Sequence, residues 1–183
     1  MSSFKTDIKK YKKYSGNKSV FVLMLTTQGL WAICVYRIFN KIYCSNIPEF
    51  LKKILLIFAV LWQKYIEIVT GISLPYSAKI GSGFYIGHFG NIIINASAVI
   101  GDNCNVSQGV TIGVSGRGNS RGVPVIGNNV YIGANAVIAG KIVIADNTVI
   151  GANSFVNKNV EDGCTVLGVP AVKISDKNSE DYI

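Results

Sequence analysis

Histidine occurs once in 183 residues, tryptophan twice, and proline and cysteine four times each, while charged residues make up only 15% of the chain. Each shortage excludes something. A single imidazole excludes a zinc site of the three-histidine type. The cysteines, Cys34, Cys44, Cys104 and Cys164, are far apart and form no CxxC pattern; in apolar or small-residue surroundings they read as buried, reduced thiols rather than a thiolate metal site or a disulfide framework. No metal is expected. Long uninterrupted hydrophobic runs are also missing: Val20 to Tyr36 is broken by Thr26-Thr27-Gln28-Gly29, and Ile54 to Trp62 is too short to span a bilayer. A Lys-rich stretch precedes the first run and no clean cleavage site follows it, so no secretory signal is expected. The expected location is cytoplasmic, with the inner face of the membrane as the alternative.

Acidic residues are scarce, and unevenly so. Residues 1 to 71 hold 11 Lys and Arg against 3 acids, whereas residues 72 to 183 hold 7 of each, so the whole net charge of +8 falls in the first part. A basic segment beside apolar runs suits a solvated face, an anionic membrane surface or an anionic substrate. No nucleic-acid partner is expected. An apolar content of 49% excludes wholesale disorder and implies a real core.

What is present divides in two. Residues 1–71 have little glycine and apolar residues at most positions, as in LTTQGLWAICVYRIFNKIY and EFLKKILLIFAVLWQKYIEIV. They read as two main helices joined near Ser45-Asn46-Ile47-Pro48, with a short Lys-rich helix at the start, packed on each other, on a partner subunit or on a membrane. From Ser73 onward an internal repeat appears. Aliphatic residues fall at 80, 86, 94, 100, 106, 112, 126, 132, 138, 144, 150 and 156, a step of six broken only by a step of eight and one of fourteen. Short strands separated by tight corners every six residues make a three-sided coil of eighteen, and twelve steps make about four turns of a parallel β-helix. The expected fold is thus mainly β, with a β-helix over 72–174, a helical segment over 1–71 acting as end cap, trimer contact or membrane contact, and a polar tail over 175–183.

The two breaks in register mark insertions, which become loops on one face. One lies in Gly87-His88-Phe89-Gly90-Asn91. The other, residues 113 to 124, is GVSGRGNSRGVP and reads as a mobile loop carrying Arg117 and Arg121. Two residues past equivalent aliphatics stand His88, Gln108, Ala134 and Ala152, which should form one column along a single corner. A polar head followed by small residues leaves room for an extended ligand parallel to the coil axis. Asn91, Arg117 and Arg121, within the insertions, are the candidate acceptor-binding residues.

These residues resemble the left-handed β-helix acyltransferases of the hexapeptide-repeat type, and within them the serine acetyltransferase-like branch. The resemblance rests on GHFGN at 87–91, SQGVTIG at 107–113, IGANAVIAG at 132–140, IGANSFV at 150–156 and GVPA at 168–171. It implies a left-handed coil, a homotrimer, acetyl-CoA in the groove between adjacent β-helices, and His88 as the general base. It further implies contacts to acetyl-CoA from Gln108, Gly113, Ala134, Ala152, Lys158 and Lys173. The helical part is similar in kind, with Asp7 to Tyr11 as a DxxxY-type opening.

Three positions depart from the serine-specific pattern, in which an acid precedes the histidine, a second acid stands upstream and Arg-His-Pro occupies the loop. Here the matching residues are Gly87, Ser73 and Arg121-Gly122-Val123-Pro124. The expected activity is therefore acetyl transfer to a sugar hydroxyl of a surface polysaccharide or a lipid-linked carbohydrate precursor, with serine as the alternative acceptor and a non-catalytic scaffold as the alternative of another class. No carboxylate lies close to His88 in sequence. A backbone carbonyl, Glu67 or a neighbouring subunit is left to orient the imidazole.

Overall fold

The computed structural model describes residues 2–183. Four helices come first: α1 (Ser2–Tyr14), α2 (Val20–Thr26), α3 (Gln28–Tyr43) and α4 (Glu49–Thr70). Local chemistry sets their ends. Gly16 and Asn17, both at positive φ, turn the chain after α1, and the Ser19 side chain accepts a hydrogen bond from the Val22 N–H at the start of α2. Pro48 precedes α4 and Gly71 ends it in the left-handed conformation, donating its N–H to the Glu67 carbonyl.

The sequence reading of one helix through residues 25–43 is corrected by a break at Thr27. That residue is extended (φ −125°, ψ 96°), and α2 and α3 meet at 102°. The cause is a tertiary contact. Gly29, in the first turn of α3, sits so close to the β-helix that a Cβ there would lie 2.7 Å from the Ile86 carbonyl oxygen and 2.8 Å from the Tyr11 hydroxyl. A straight continuation of α2 would not bring the backbone to that strand.

The remaining chain winds as a left-handed parallel β-helix. On the first face run β1 (Ile72–Ser73), β4 (Ile92–Ile94), β7 (Thr111–Gly113), β10 (Val137–Ala139) and β13 (Phe155–Val156). The second carries β2 (Lys79–Ile80), β5 (Val99–Ile100), β8 (Val125–Ile126) and β11 (Val143–Ile144). The third carries β3 (Tyr85–Ile86), β6 (Asn105–Val106), β9 (Tyr131–Ile132), β12 (Val149–Ile150) and β14 (Thr165–Gly168). All twelve aliphatic positions of the repeat point inward, none more than 8% exposed. Ile80, Ile100, Ile126 and Ile144 stack in register on the second face, as Ile86, Val106, Ile132, Ile150 and Val166 do on the third. The array starts one step earlier than the sequence reading has it, at Leu74, which is 6% exposed. A third slip follows the last step: Val160, not residue 162, bridges Ile144.

Corners repeat as well as strands. Between the second and third faces, Asn103, Asn129 and Asn147 adopt positive φ and form a ladder, each amide nitrogen donating one coil on: Asn103 to Asn129 at 2.8 Å, Asn129 to Asn147 at 3.1 Å and Asn147 to Asp162 at 3.2 Å. Lys10 caps its open end, donating to the Asn103 carbonyl at 2.9 Å and side-chain oxygen at 2.6 Å.

At the far end β15 (Ala171–Ser175) returns antiparallel on β14. Where the sequence reads a polar tail, residues 176–183 dock along the third face. The Ser179 hydroxyl donates to the Asn129 carbonyl, Asn105 Nδ2 donates to the Tyr182 carbonyl at 2.6 Å, and Lys13 Nζ reaches the Ile183 carbonyl at 2.7 Å. Of the cysteines, Cys104 and Cys164 are buried as expected, but Cys34 is half-buried and Cys44, just past α3, is exposed.

Between helices and coil lies a buried ion pair. Arg37 donates to Asp7 from Nε at 2.8 Å and from Nη2 at 3.1 Å, and Asp7 also accepts the Phe84 N–H at 2.9 Å. Burial pushes the Asp7 carboxyl up, with Arg37 and the backbone N–H groups pulling it back. Asp7→Ala leaves Arg37 buried without a counter-charge and should cost about 3–5 kcal/mol, measured by urea unfolding. A second expectation concerns Lys10, which burial lowers to about 8 from 10.5. Between those values the unfolded chain binds more protons, so the penalty of holding this amine is present at neutral pH and fades as pH rises through the window. The wild-type unfolding free energy minus that of Lys10→Met should therefore rise from pH 8 to pH 10.5.

Candidate active site

The corner between the third and first faces holds the histidine. Ile86 ends β3 with both backbone groups satisfied by one side chain: its N–H donates to the Tyr11 hydroxyl at 3.1 Å, and that hydroxyl donates to the Ile86 carbonyl at 2.9 Å. From this anchored point the chain leaves the coil. In the next coil Gly109, one residue past Gln108, turns the corner, and its N–H donates to Gly90 O at 3.0 Å, which aligns Gly109 with Asn91. The two extra residues therefore fall within His88 to Gly90. Gly90 (φ 104°) and Asn91 (φ 51°) turn the chain back; φ near 104° is open to glycine and to few other residues.

Released from the coil, His88 is exposed and lines a cavity of about 250 Å³ with Ser15, Thr27, Gln28, Tyr85 and Phe89 among its neighbours. Its imidazole makes no hydrogen bond or ion pair with any described residue. Glu67 is not its partner: that carboxylate binds Lys64 at 2.8 Å and lines a different cavity of about 160 Å³, together with Ser73. Among the described residues of one chain nothing orients the ring.

Ile86, Val106, Ile132 and Ile150 pair in succession, so Gln108, Ala134 and Ala152, two residues past the last three, follow one another along this corner, and His88, two past Ile86, stands at its head where the insertion begins. Gln108 and Ala152 are exposed and Ala134 half-buried. With coils about 4.8 Å apart the column is roughly 14 Å long, and beyond Gln108 it presents only methyl groups and backbone. An extended thioester cofactor arm fits such a strip.

The other predicted residues separate from it. Asn91 shares the corner but serves its turn, in the same left-handed place as Gly109, Asn135 and Asn153. Gly113 ends β7 at the opposite end of the first face, paired with Ala139. It leads into the long loop, which is no loose excursion: Ser115 and Gly122 exchange hydrogen bonds of 3.1 and 3.0 Å, and a 3-10 turn at Gly118–Ser120 closes its tip. Arg117, Arg121 and Lys158 are exposed on that same corner between the first and second faces. Lys173, on β15, is already matched by Asp176 at 2.7 Å and Glu161 at 3.5 Å, and the first of these holds its amine above the usual lysine value. In a single chain, therefore, His88 shares its corner with Gln108, Ala134 and Ala152, whereas Gly113, Arg117, Arg121 and Lys158 lie at another.

The sequence reading missed the helical wall of the cavity. Thr27, Gln28 and Tyr14 line it beside His88, and the signal was the polar interruption TTQG in the first apolar run. Among the described residues no three His, Cys, Asp or Glu side chains converge on a metal site.

Comparison with known proteins agrees with this geometry. Residues 124–158 match the model of the bacterial transferase hexapeptide family (six repeats). The chain is 34% identical over 148 residues to a serine acetyltransferase of Synechococcus elongatus, covering 81% of this chain and 57% of that protein. It is 33% identical over 153 residues to one of Staphylococcus aureus, covering 84% and 68%. It thus spans little more than half the length of the cyanobacterial relatives. Among solved structures, serine acetyltransferase of Brucella abortus superposes with a TM-score of 0.83 at 28% identity, over 97% of this chain and 70% of that one, and is also known in complex with coenzyme A. That of Neisseria gonorrhoeae gives 0.80 at 33% identity, over 95% and 64%.

These relatives overturn the expected polysaccharide acceptor. That expectation rested on Gly87, Ser73 and the loop, but within one chain Ser73 lines a cavity that shares no residue with the one holding His88. Departures at scattered positions carry less weight than similarity over four fifths of the chain. The chain belongs to the hexapeptide-repeat acyltransferases, in the serine acetyltransferase family.

Proposed function

We propose that the chain transfers acetyl from acetyl-CoA to the hydroxyl of serine, with His88 as general base. The observation that carries the reading is an unpaired, exposed imidazole at a register slip, opening on a polar cavity and heading a column of small side chains. His88 takes the proton of the acceptor hydroxyl as its oxygen attacks the thioester carbonyl. The C–S bond then breaks, and the leaving thiolate takes the proton back from the imidazolium. An imidazole is suited to both halves of this exchange.

Acetyl-CoA lies along Gln108, Ala134 and Ala152 in this proposal. The separation of the predicted residues onto two corners supports a trimer, because a site using both must take them from neighbouring chains. Arg117, Arg121, Gly113 and Lys158 of one subunit would then face the His88 column of the next. Asn91 contributes through the turn that presents His88. A cytoplasmic location goes with the acetyl-CoA donor.

Release of CoA thiol from acetyl-CoA, followed with and without L-serine, tests the reading; a rate that serine leaves unchanged overturns it. His88→Ala should lower the serine-dependent rate by about 10² to 10⁴ while leaving the melting temperature unchanged, and retention of more than half the rate would reject the base. Ala152→Leu should raise KM for acetyl-CoA roughly tenfold with little change in kcat, since it narrows the column and not the reacting centre.

A further inference from the structure

A second cavity, of about 630 Å³, opens between α1 and the corner that carries the asparagine ladder, with Lys9, Lys10, Lys12 and Lys13 on the helical side and Asn103 on the coil. No aspartate or glutamate lines it. Asp7, the only acid of α1, is held elsewhere by Arg37 and the Phe84 N–H. Lys13 meets the Ile183 carbonyl at 2.7 Å, whereas Lys9, Lys10 and Lys12 make no ion pair with any described residue. Lys9 is exposed and Lys12 half-buried, but Lys10 is only 7% exposed. Both acceptors of its amine, the carbonyl and side-chain oxygens of Asn103, are neutral, so one of its three N–H donors and its whole charge stay unmatched. A buried cation ordinarily has an anion beside it. Here burial alone already lowers the amine to about 8, and the open side of the cavity is where a counter-charge fits.

The lining also narrows the ligand. Three unmatched ammonium groups call for more than one negative charge, and lysine binds phosphate as a point charge. No aromatic ring lines the cavity to stack a base, and Ile183 is its only large apolar residue, so neither a nucleobase nor an acyl chain has a place there. The volume is that of a small-molecule site. We infer that this cavity binds a compact soluble polyphosphate, or a small molecule bearing a di- or triphosphate group, with Lys9, Lys10 and Lys12 on its oxygens. The strip assigned to acetyl-CoA runs from Gln108 to Ala152 along a different corner of the coil. This is therefore a second anion site, and it does not rest on the acetyl-transfer reading.

The test is calorimetric titration of the full chain with sodium tripolyphosphate at neutral pH and physiological salt, where a Debye length of about 8 Å mutes distant charges. Saturable binding, weakened by further salt, is expected. Lys9→Gln combined with Lys12→Gln should weaken it roughly tenfold at an unchanged melting temperature. Lys5→Gln combined with Lys18→Gln removes the same charge outside the cavity and should change the affinity less than about twofold. The inference is overturned by an absence of binding or by equal loss in the two double variants. It is equally overturned if equimolar coenzyme A displaces the tripolyphosphate, which would assign these lysines to the acetyl donor, or if the chain binds phosphatidylglycerol vesicles and not tripolyphosphate, which would make the ligand a lipid headgroup.

Discussion

Every coil of a β-helix pairs with the one beyond it, so the first coil has a row of unpaired N–H and C=O groups on each of its three faces. Left in a dry interface, each unmet group costs about 1–3 kcal/mol, and the helices answer nearly one by one. On the second face Tyr36 donates to the Ala78 carbonyl and accepts from the Ile80 N–H, while Arg37 holds the Ile80 and Gly81 carbonyls. At the start of the third face Asp7 takes the Phe84 N–H and Tyr11 serves both groups of Ile86. For the first face Thr70 accepts from the Ile72 N–H, and Gln63 donates to the Leu74 carbonyl. The helical segment is thus a polar lid in an apolar frame. Its position follows from backbone groups that must be met as much as from hydrophobic burial.

That requirement also builds the site. Tyr11 and Gly29 fix the strand from which His88 departs, and the bend at Thr27 that brings Gly29 there leaves Thr27 and Gln28 on the cavity wall. A capping interaction and a candidate substrate pocket are two consequences of one docking. Variants at Tyr11 or Gly29 would therefore disturb stability and site together, which is why residues farther out, such as Ala152, separate the two effects more cleanly.

Legibility from sequence followed the range of the forces involved. The coil is local and repeated, so its twelve inward aliphatics, its faces and the His88 column could be counted, because the same short-range pattern recurs every six residues. The helical bend, the docked tail and the capping of the first coil depend on pairs far apart in the chain, Tyr11 with Ile86 or Asn105 with Tyr182, for which no period gives a signal. The slip near Val160 was hidden because a single step of six follows it, to Val166 on the third face, too few to restore a visible period. Cys44 misled because its apolar neighbours belong to a helix end in water.

The acceptor was misread for a related reason. The expectation weighed Ser73, Gly87 and Arg121 by motif order, yet within one chain the coil places them at separate cavities and corners. Sequence order in a β-helix gives the coil and the face, and proximity follows only from both. Gly87 is the one departure that touches the His88 cavity, and what it removes is a carboxylate beside the base. Since Glu67 is engaged with Lys64 elsewhere, a group that steadies the imidazole would come, in the proposed trimer, from the neighbouring subunit or from the acceptor itself. Serine, with its own carboxylate and ammonium groups, brings charges that a plain sugar hydroxyl does not, so the empty place beside His88 is less of an argument against an amino-acid acceptor than it looks in the sequence.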